Sequence, residues 1–250
     1  MYLRLIDSND TITMKHLLQF SAKHDITGIT CRRDIAELVK LNKIYREMGA
    51  YKITYMEDHE LSRDKKKSIN IQNKLNISKY VNEHFKDFSQ NNDCIFIGSG
   101  TTMEVFARNI SVPIERLYTY GVEIARQAGL NENIKQIYLV GGEYRRTSHA
   151  VCGDWSTKMI KDITFTASFF TATHVLEDGY IYNNNIEEAA LIKNVMKKSR
   201  ASHFLLDSSK FMLNIGGVMV AKADEPNTIV TDADIKNAKN VPYQNLVIVE

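Results

Sequence analysis

The stretch IFIGSGTTMEVFA, residues 95–107, is typical of a strand that turns directly into a helix. An apolar run ends at Ile97, a Gly-Ser-Gly turn follows at 98–100, and two threonines open a run with helical periodicity. Free N–H groups at a helix start, beside glycines and hydroxyls, form a seat for phosphate or another anion. The stretch lacks the lysine of a P-loop and the third glycine of a dinucleotide fingerprint. An ordinary strand-to-helix turn is therefore the alternative.

The chain around this stretch, from residue 76 to residue 250, alternates strand-like and helix-like runs. The helical run ISKYVNEHFKDF precedes the strand DCIFI, and the helix IEEAALIKNVMKKSR precedes the strand SHFLLDSS. This alternation predicts an α/β domain with a parallel sheet covered on both faces. Ligands of such folds bind at the carboxyl ends of the strands.

Two further strand ends carry residues suited to an anion. LVGGEYRRT places Gly141 and Gly142 after a strand, with Arg146 close behind, although such an arginine is usually solvated. FLLDSSKF ends a strand with Asp207 and Lys210. Lys210 either reaches a phosphate as a point charge or pairs with Asp207 to hold the turn, and the sequence leaves both open.

The motif NNNIEEAAL places Glu187 and Glu188 at the start of a helix. Carboxylates there stabilise the helix dipole, which accounts for one of them. The second is available to accept hydroxyl groups of a sugar.

Residues 1–56 have the order of a winged helix-turn-helix. We expect the end of a first helix at 2–10, further helices within 13–24 and 25–42, and two β-prone runs around a central glycine at 43–56. This region has nine Lys and Arg against six Asp and Glu, whereas the whole chain carries a net charge of +2. The local excess permits a nucleic-acid partner.

The third of these helices contains two adjacent arginines, Arg32 and Arg33. Its apolar positions recur at helical spacing and predict one buried stripe, formed by Cys31, Ile35 and Leu38 with Val39 beside them. Arg33 then falls on the opposite side and Arg32 on the flank. Such a helix is either solvated or lies in a DNA groove.

Several classes of protein are disfavoured by composition. The three cysteines include no C-x-x-C pair, which argues against disulfides and zinc ribbons and fits a reducing cytoplasm. No apolar run approaches the length of a membrane span, and the N-terminus lacks a signal-peptide layout. No metal-ligand spacing occurs, so we expect neither a metal nor a cofactor. Residues 57–75 are strongly charged and are expected to be a linker that runs into a helix.

Over nearly all of its length the chain resembles the DeoR family of bacterial sugar-metabolism repressors. The resemblance rests on motifs in family order: TCRRDIAEL, YREMGAYK, GSGTT, YLVGGEYR, NNNIEEAALIKNVM, LLDSSKF and IVTDADI. It implies a winged helix-turn-helix DNA-binding domain at 1–56, a linker at 57–75, and at 76–250 a Rossmann-like effector domain similar to sugar-phosphate isomerases. The motif GSGTT resembles in particular the lactose-operon repressors that respond to tagatose 6-phosphate.

The resemblance also implies two sets of functional residues and no catalytic ones. The DNA-binding positions are Thr27, Thr30, Arg32, Arg33 and Arg46. The positions for a phosphorylated sugar are Gly100, Thr101, Thr102, Tyr120, Gly141, Gly142, Glu188 and Lys210.

The sequence departs from the family pattern at several positions. Gly98 stands where an aspartate is usual, Tyr120 replaces an asparagine, and Ala50 replaces the second glycine of the wing. The stretch LLQFSAKHDIT is about two residues longer than the pattern. A narrower pocket and an altered DNA affinity are the expected consequences.

The function implied is a transcriptional regulator, expected to repress a sugar-utilisation operon. It would bind operator DNA as a homodimer or homotetramer and release it when a phosphorylated sugar binds. A phosphosugar isomerase using Glu188 and Lys210 is the alternative enzyme. A sensor that has lost DNA binding is the third possibility.

Overall fold

The computed structural model divides the chain into two compact units, Met1–His59 and Glu60–Glu250. The structure describes residues 2, 12–40, 44–47, 49–53, 63–176, 179–211, 217–222, 227–232, 235 and 245–249. Within these residues no helix is both long enough and apolar enough to cross a membrane.

In its described residues the smaller unit has helical Tyr2, two helices and a small antiparallel sheet. Its elements are β1 (Ile12–Thr13), α1 (Met14–Ala22), α2 (Gly28–Lys40), β2 (Ile44–Glu47) and β3 (Ala50–Ile53). The strands lie in the order β1-β3-β2, and the β2–β3 hairpin turns at Gly49, whose φ is +84°. The helix end expected at 2–10 lies outside the described residues, apart from Tyr2.

The core of the smaller unit is built from α1, α2 and the sheet. Leu17 of α1 is buried with Cys31 and Ile35 of α2. Thr13 caps α1 by accepting a hydrogen bond from the backbone N–H of His16. The expectation that Val39 shares the buried stripe is wrong, because its side chain is 37% exposed at the end of α2.

The larger unit alternates helices and strands. It begins with α3 (Arg63–Lys67), α4 (Ile71–Glu83), α5 (Phe85–Phe88), β4 (Cys94–Ile97), α6 (Thr101–Arg108), β5 (Ile114–Thr119), α7 (Val122–Ala128) and β6 (Ile134–Leu139). It continues with β7 (Glu143–Arg145), β8 (Ala150–Cys152), α8 (Asp154–Met159), β9 (Ala167–Phe170), β10 (His174–Val175) and β11 (Tyr180–Asn183). The last elements are α9 (Ile186–Met196), β12 (Ser202–Leu205), a 3-10 turn (Ser208–Phe211), β13 (Val218–Lys222), β14 (Asn227–Asp232) and β15 (Leu246–Val249).

A seven-stranded parallel sheet forms the centre of this unit, in the order β15-β14-β12-β9-β4-β5-β6. The predicted α/β class with a parallel sheet is confirmed. From β4 the chain winds towards β6, and from β9 it winds towards β15. The winding therefore reverses between β4 and β9, the place where α/β sheets open a crevice for a ligand.

Each face of the sheet is covered by a separate apolar core. Ile95 and Ile97 of β4 pack on the face covered by α4 to α7, whereas Phe96 packs on the opposite face with α9. The strand is buried on both sides, as its continuous apolar sequence predicts.

The charged segment 57–75 was expected to be a linker that runs into a helix, and part of it is helical and packs in the larger unit. Helix α3 and the start of α4 fall within it, and Arg63 and Lys74 are buried in the larger unit. The run of lysines in α3 lies on a short helix, and Lys65 and Lys67 are exposed.

His203 of β12 is buried between the rings of Phe88 and Phe169. Its Nε2 donates to the carbonyl oxygen of Phe88 at 2.8 Å, and its Nδ1 has no hydrogen-bond partner among the described residues. Burial lowers the pKa of His203 to about 4, although the hydrogen bond to Phe88 favours the charged form.

This histidine makes stability depend on pH. Below about pH 6.5 the unfolded chain protonates His203 while the folded chain does not, so the free energy of unfolding should fall as pH drops from 6.5 to 4. The loss from this group is about 3 kcal/mol. Urea unfolding at a series of pH values should show a shallower decline in His203→Gln, and an equal decline in both proteins would contradict the assignment.

Candidate functional site

The turn after β4 forms a cradle lined by backbone. Gly98 donates its N–H to the carbonyl oxygen of Phe169 at 2.8 Å, which extends the β4–β9 pairing into the turn. Gly100 has φ +118°, and a Cβ there would lie 2.5 Å from the Thr171 Cγ2. Only glycine fits this close approach between the ends of the two strands.

Helix α6 begins at this cradle without a side-chain cap. Its N-cap residue is Gly100, and the hydroxyl-bearing Thr101 and Thr102 of its first turn are buried. The backbone N–H groups of the first turn and the positive end of the helix dipole together favour an anion here. The predicted strand–turn–helix is thus confirmed, and its uncapped helix start is the candidate anion site.

A hydrogen-bond network beside the cradle centres on Glu188. This carboxylate is only 4% exposed and accepts from Ser99 Oγ at 3.3 Å, Arg145 Nη1 at 3.2 Å and Ser148 Oγ at 2.7 Å. Asn185 caps α9 and holds Glu188 at its start through the Glu188 N–H at 2.9 Å. The expected acidic helix start is confirmed.

Tyr120 joins the same network from the end of β5. It is buried, it hydrogen-bonds Ser99, and its hydroxyl lies 3.5 Å from the place where a Cβ on Gly98 would be. Burial, followed by the charge of Glu188, raises the pKa of Tyr120, so its phenol stays protonated. The structure therefore links two of the predicted residues, Tyr120 and Glu188, through Ser99.

Gly141 and Gly142 follow β6 at the same edge of the sheet. Ser156 donates to the carbonyl oxygen of Gly141 at 2.7 Å. Gly142 has φ +154°, and a Cβ there would collide with Ser156 and with the carbonyl of Cys152. The contacts of these glycines are with α8 and β8, so both serve a tight turn in the fold.

The turn after β12 contains a second charged group. Asp207 is buried and accepts from Asn70 Nδ2 at 2.8 Å and from the backbone N–H of Ser209 at 3.3 Å. Burial alone would raise the pKa of Asp207, but the charge of Lys210 and these hydrogen bonds lower it. The charge of Lys210 thus favours the Asp207 anion, as the pairing alternative predicts, and the phosphate alternative for Lys210 stays a prediction.

Lys74 of α4 lies beside this second group. It is only 3% exposed and donates to the carbonyl oxygens of Lys66 and Ile69, each at 2.7 Å. Burial lowers its pKa to about 8, opposed by the charge of Asp207. The ammonium therefore remains charged at neutral pH.

Three residues of this edge were missed from the sequence: Arg63, Lys74 and Ser148. Lys74 lies three residues before Ile77, on the buried face of α4. A lysine at a position where the helical spacing predicts an apolar residue could have indicated its burial. Arg63 lies in a charged run, where nothing distinguishes a buried arginine from a solvated one. Within the described residues, no group of three or more His, Cys, Asp and Glu side chains could hold a metal ion.

The predicted DNA-binding residues lie on α2 and the hairpin of the smaller unit. Arg32 and Arg33 are exposed, and Arg33 makes a 3.8 Å ion pair with Asp34. The Thr27 and Thr30 hydroxyls are 2.9 Å apart at the start of α2. Arg46 is exposed on β2, and its guanidinium carbon lies 6.0 Å from the ring centroid of Tyr51.

Comparison with known families matches residues 69–233 to the DeoR C terminal sensor domain. The chain belongs to the DeoR family. The matched residues contain the cradle, the Glu188 network and the turn with Lys210, so the DeoR sensor domain is the part of the chain that carries the candidate ligand site.

Two curated relatives of this DeoR-family chain illustrate the similarity, and both are named as repressors. A lactose phosphotransferase system repressor of Staphylococcus epidermidis is 27% identical over 190 residues, covering 74% of this chain and 73% of the relative. A repressor of the same name from Streptococcus mutans is 24% identical over 209 residues, covering 83% and 80%.

Solved structures overlap the chain in part. A DeoR family transcriptional regulator from Listeria monocytogenes has a TM-score of 0.33 and 12% identity, covering 59% of this chain and 77% of that one. Ribose 5 phosphate isomerase A from Neisseria gonorrhoeae has a TM-score of 0.36 and 15% identity, covering 55% and 52%.

The close approach at Gly100 gives a test of the cradle. Gly100→Ala should lower the free energy of unfolding by about 1–3 kcal/mol, because its φ excludes a side chain and Thr171 blocks the space. Gly129→Ala is the matched control, since Gly129 has helical φ −64° and should gain about 0.4–1 kcal/mol. Urea unfolding of both variants measures this, and equal effects would contradict the cradle geometry.

Proposed function

We propose that this protein is a DNA-binding transcriptional repressor of a sugar-utilisation operon, controlled by a phosphorylated sugar. The observation that carries the proposal is the DeoR sensor-domain match across the segment that contains the anion cradle. The relatives named as lactose phosphotransferase system repressors support the sugar-operon role.

In this proposal the phosphate group binds at the start of α6. The N–H groups of Gly100, Thr101 and Thr102 and the two threonine hydroxyls would hold it, and Lys210 would add a positive charge from the turn after β12. Glu188 and Tyr120 would face the sugar hydroxyls, and the turn at Gly141 and Gly142 would shape the pocket wall.

The smaller unit would bind operator DNA as a winged helix-turn-helix. Helix α2 would enter the major groove with Thr27, Thr30, Arg32 and Arg33, and the β2–β3 hairpin would place Arg46 on the adjacent backbone. The exposure of these arginines supports the assignment. We assign 1–56 to this domain, 57–75 to the linker and 76–250 to the effector domain. The linker packs on the larger unit at Arg63, which is buried there.

The isomerase alternative has no observation in its favour. The named relatives are repressors and not enzymes.

The repressor would act as a homodimer or homotetramer, because a single small domain buries too little surface on DNA for operator selectivity. Helix α8 offers exposed apolar side chains for such assembly, with Trp155 73% and Met159 52% exposed.

DNA binding is tested by removing one cation from α2. Arg33→Ala should weaken binding to a duplex selected by the wild-type protein about tenfold. It should also reduce the slope of log affinity against log salt concentration by about one, the value for one phosphate contact. Arg200→Ala, which removes an exposed arginine of the larger unit, should leave affinity unchanged. Fluorescence anisotropy at several salt concentrations gives both quantities, and no difference between the two variants would argue against α2 as the recognition helix.

Ligand binding is tested by thermal unfolding with a panel of sugars. Phosphorylated hexoses or pentoses that fit the cradle should raise the melting temperature, whereas the same sugars without phosphate should not. Lys210→Met should lose most of the shift, while Lys79→Met, at an exposed lysine of α4, should keep it. Equal shifts with and without the phosphate group would contradict an anion cradle.

A further inference from the structure

Arg63 is the first described residue after β3, and its guanidinium is buried in the larger unit with 7% exposure. Its Nε donates to Glu104 Oε1 at 2.7 Å and its Nη2 to Glu104 Oε2 at 2.5 Å. This is the two-pronged geometry in which arginine binds a carboxylate most strongly and with a fixed orientation.

The contacts of Arg63 reach the segments that form the candidate ligand site. Glu104 lies in the first turn of α6, directly behind the cradle. Glu123, 3.6 Å from Nη2, lies in the first turn of α7, after Tyr120. The Arg63 backbone N–H donates to the carbonyl oxygen of Thr147 at 3.0 Å, next to the Ser148 that binds Glu188.

The chain that follows Arg63 is attached to the other half of the site. Asn70 donates to Asp207 in the turn that carries Lys210. Lys74 of α4 donates hydrogen bonds to the carbonyl oxygens of Lys66 and Ile69, which holds this segment against the helix. Residues 63–74 therefore contact both the helix that begins at the cradle and the turn that carries Lys210.

We propose that Arg63 is a positioning residue that couples occupancy of the cradle to the chain leading into the smaller unit. An anion at the start of α6 adds negative charge within a helical turn of Glu104, so it strengthens the attraction that keeps Arg63 docked. By linkage, a docked Arg63 raises the affinity of the cradle for an anion. The inference rests on the proposed function and identifies the route by which the ligand acts on DNA binding.

The test measures coupling in the full-length protein. Affinity for the selected duplex is determined with and without tagatose 6-phosphate, and the ratio is the coupling. We expect a ratio above about fivefold for the wild type, in the usual range for coupled sites. Arg63→Met should reduce the ratio below about twofold while binding of the duplex itself persists.

Two further variants separate coupling from stability. Arg63→Met leaves Glu104 as an unpaired buried charge, so Arg63→Met with Glu104→Met removes both charges and keeps the chain folded. This double variant should have a melting temperature near that of the wild type and still lack coupling. Arg126→Met is the matched control, because Arg126 donates to the same Glu123 at 2.8 Å from an exposed position, and it should keep the full ratio.

The outcomes distinguish the two proposals. A wild-type protein that selects no duplex would overturn the proposed function and this inference together. A wild type that binds its duplex with the same affinity with and without tagatose 6-phosphate would overturn the inference. A responsive wild type with an equally responsive double variant would overturn the inference alone.

Discussion

The parallel pairing of β4 with β9 is the constraint on which the candidate site depends. Ile97 is in register with Phe169, and the pairing continues through the N–H of Gly98. The chain winds from β4 towards one edge of the sheet and from β9 towards the other. The pairing holds the carboxyl ends of these two strands side by side. The space between their turns is so small that a Cβ on Gly100 would lie 2.5 Å from the Thr171 Cγ2, so this position requires glycine.

Buried charge is concentrated at the same edge of the sheet. The charged residues buried there are Arg63, Lys74, Glu104, Glu188 and Asp207. Removing a charge from water costs several kcal/mol, and each of these groups recovers part of that cost through a partner or a backbone hydrogen bond. The apolar cores on the two faces of the sheet supply the stability, and the charged edge fixes the positions of the turns.

Much of this fold could be predicted from the sequence, because periodicity reports on local structure. The turn at 98–100, the acidic start of α9 and the stripe of α2 follow from spacing alone, although Val39 at the helix end escaped burial. Periodicity does not show which charged residue of a polar segment becomes buried. Arg63 finds Glu104 across 41 residues of chain, so its burial is a property of the tertiary structure.

The cysteines have a consequence for chemistry outside the ligand site. Cys31, Cys94 and Cys152 are all buried and free. Burial raises the pKa of the Cys94 thiol, and burial together with Glu188 and Glu187 raises that of Cys152 to about 12. A covered, protonated thiol is a poor nucleophile, so Cys94 and Cys152 resist thiol-directed oxidants and alkylating agents in the folded protein. Reaction with a thiol reagent would therefore report the opening of either unit.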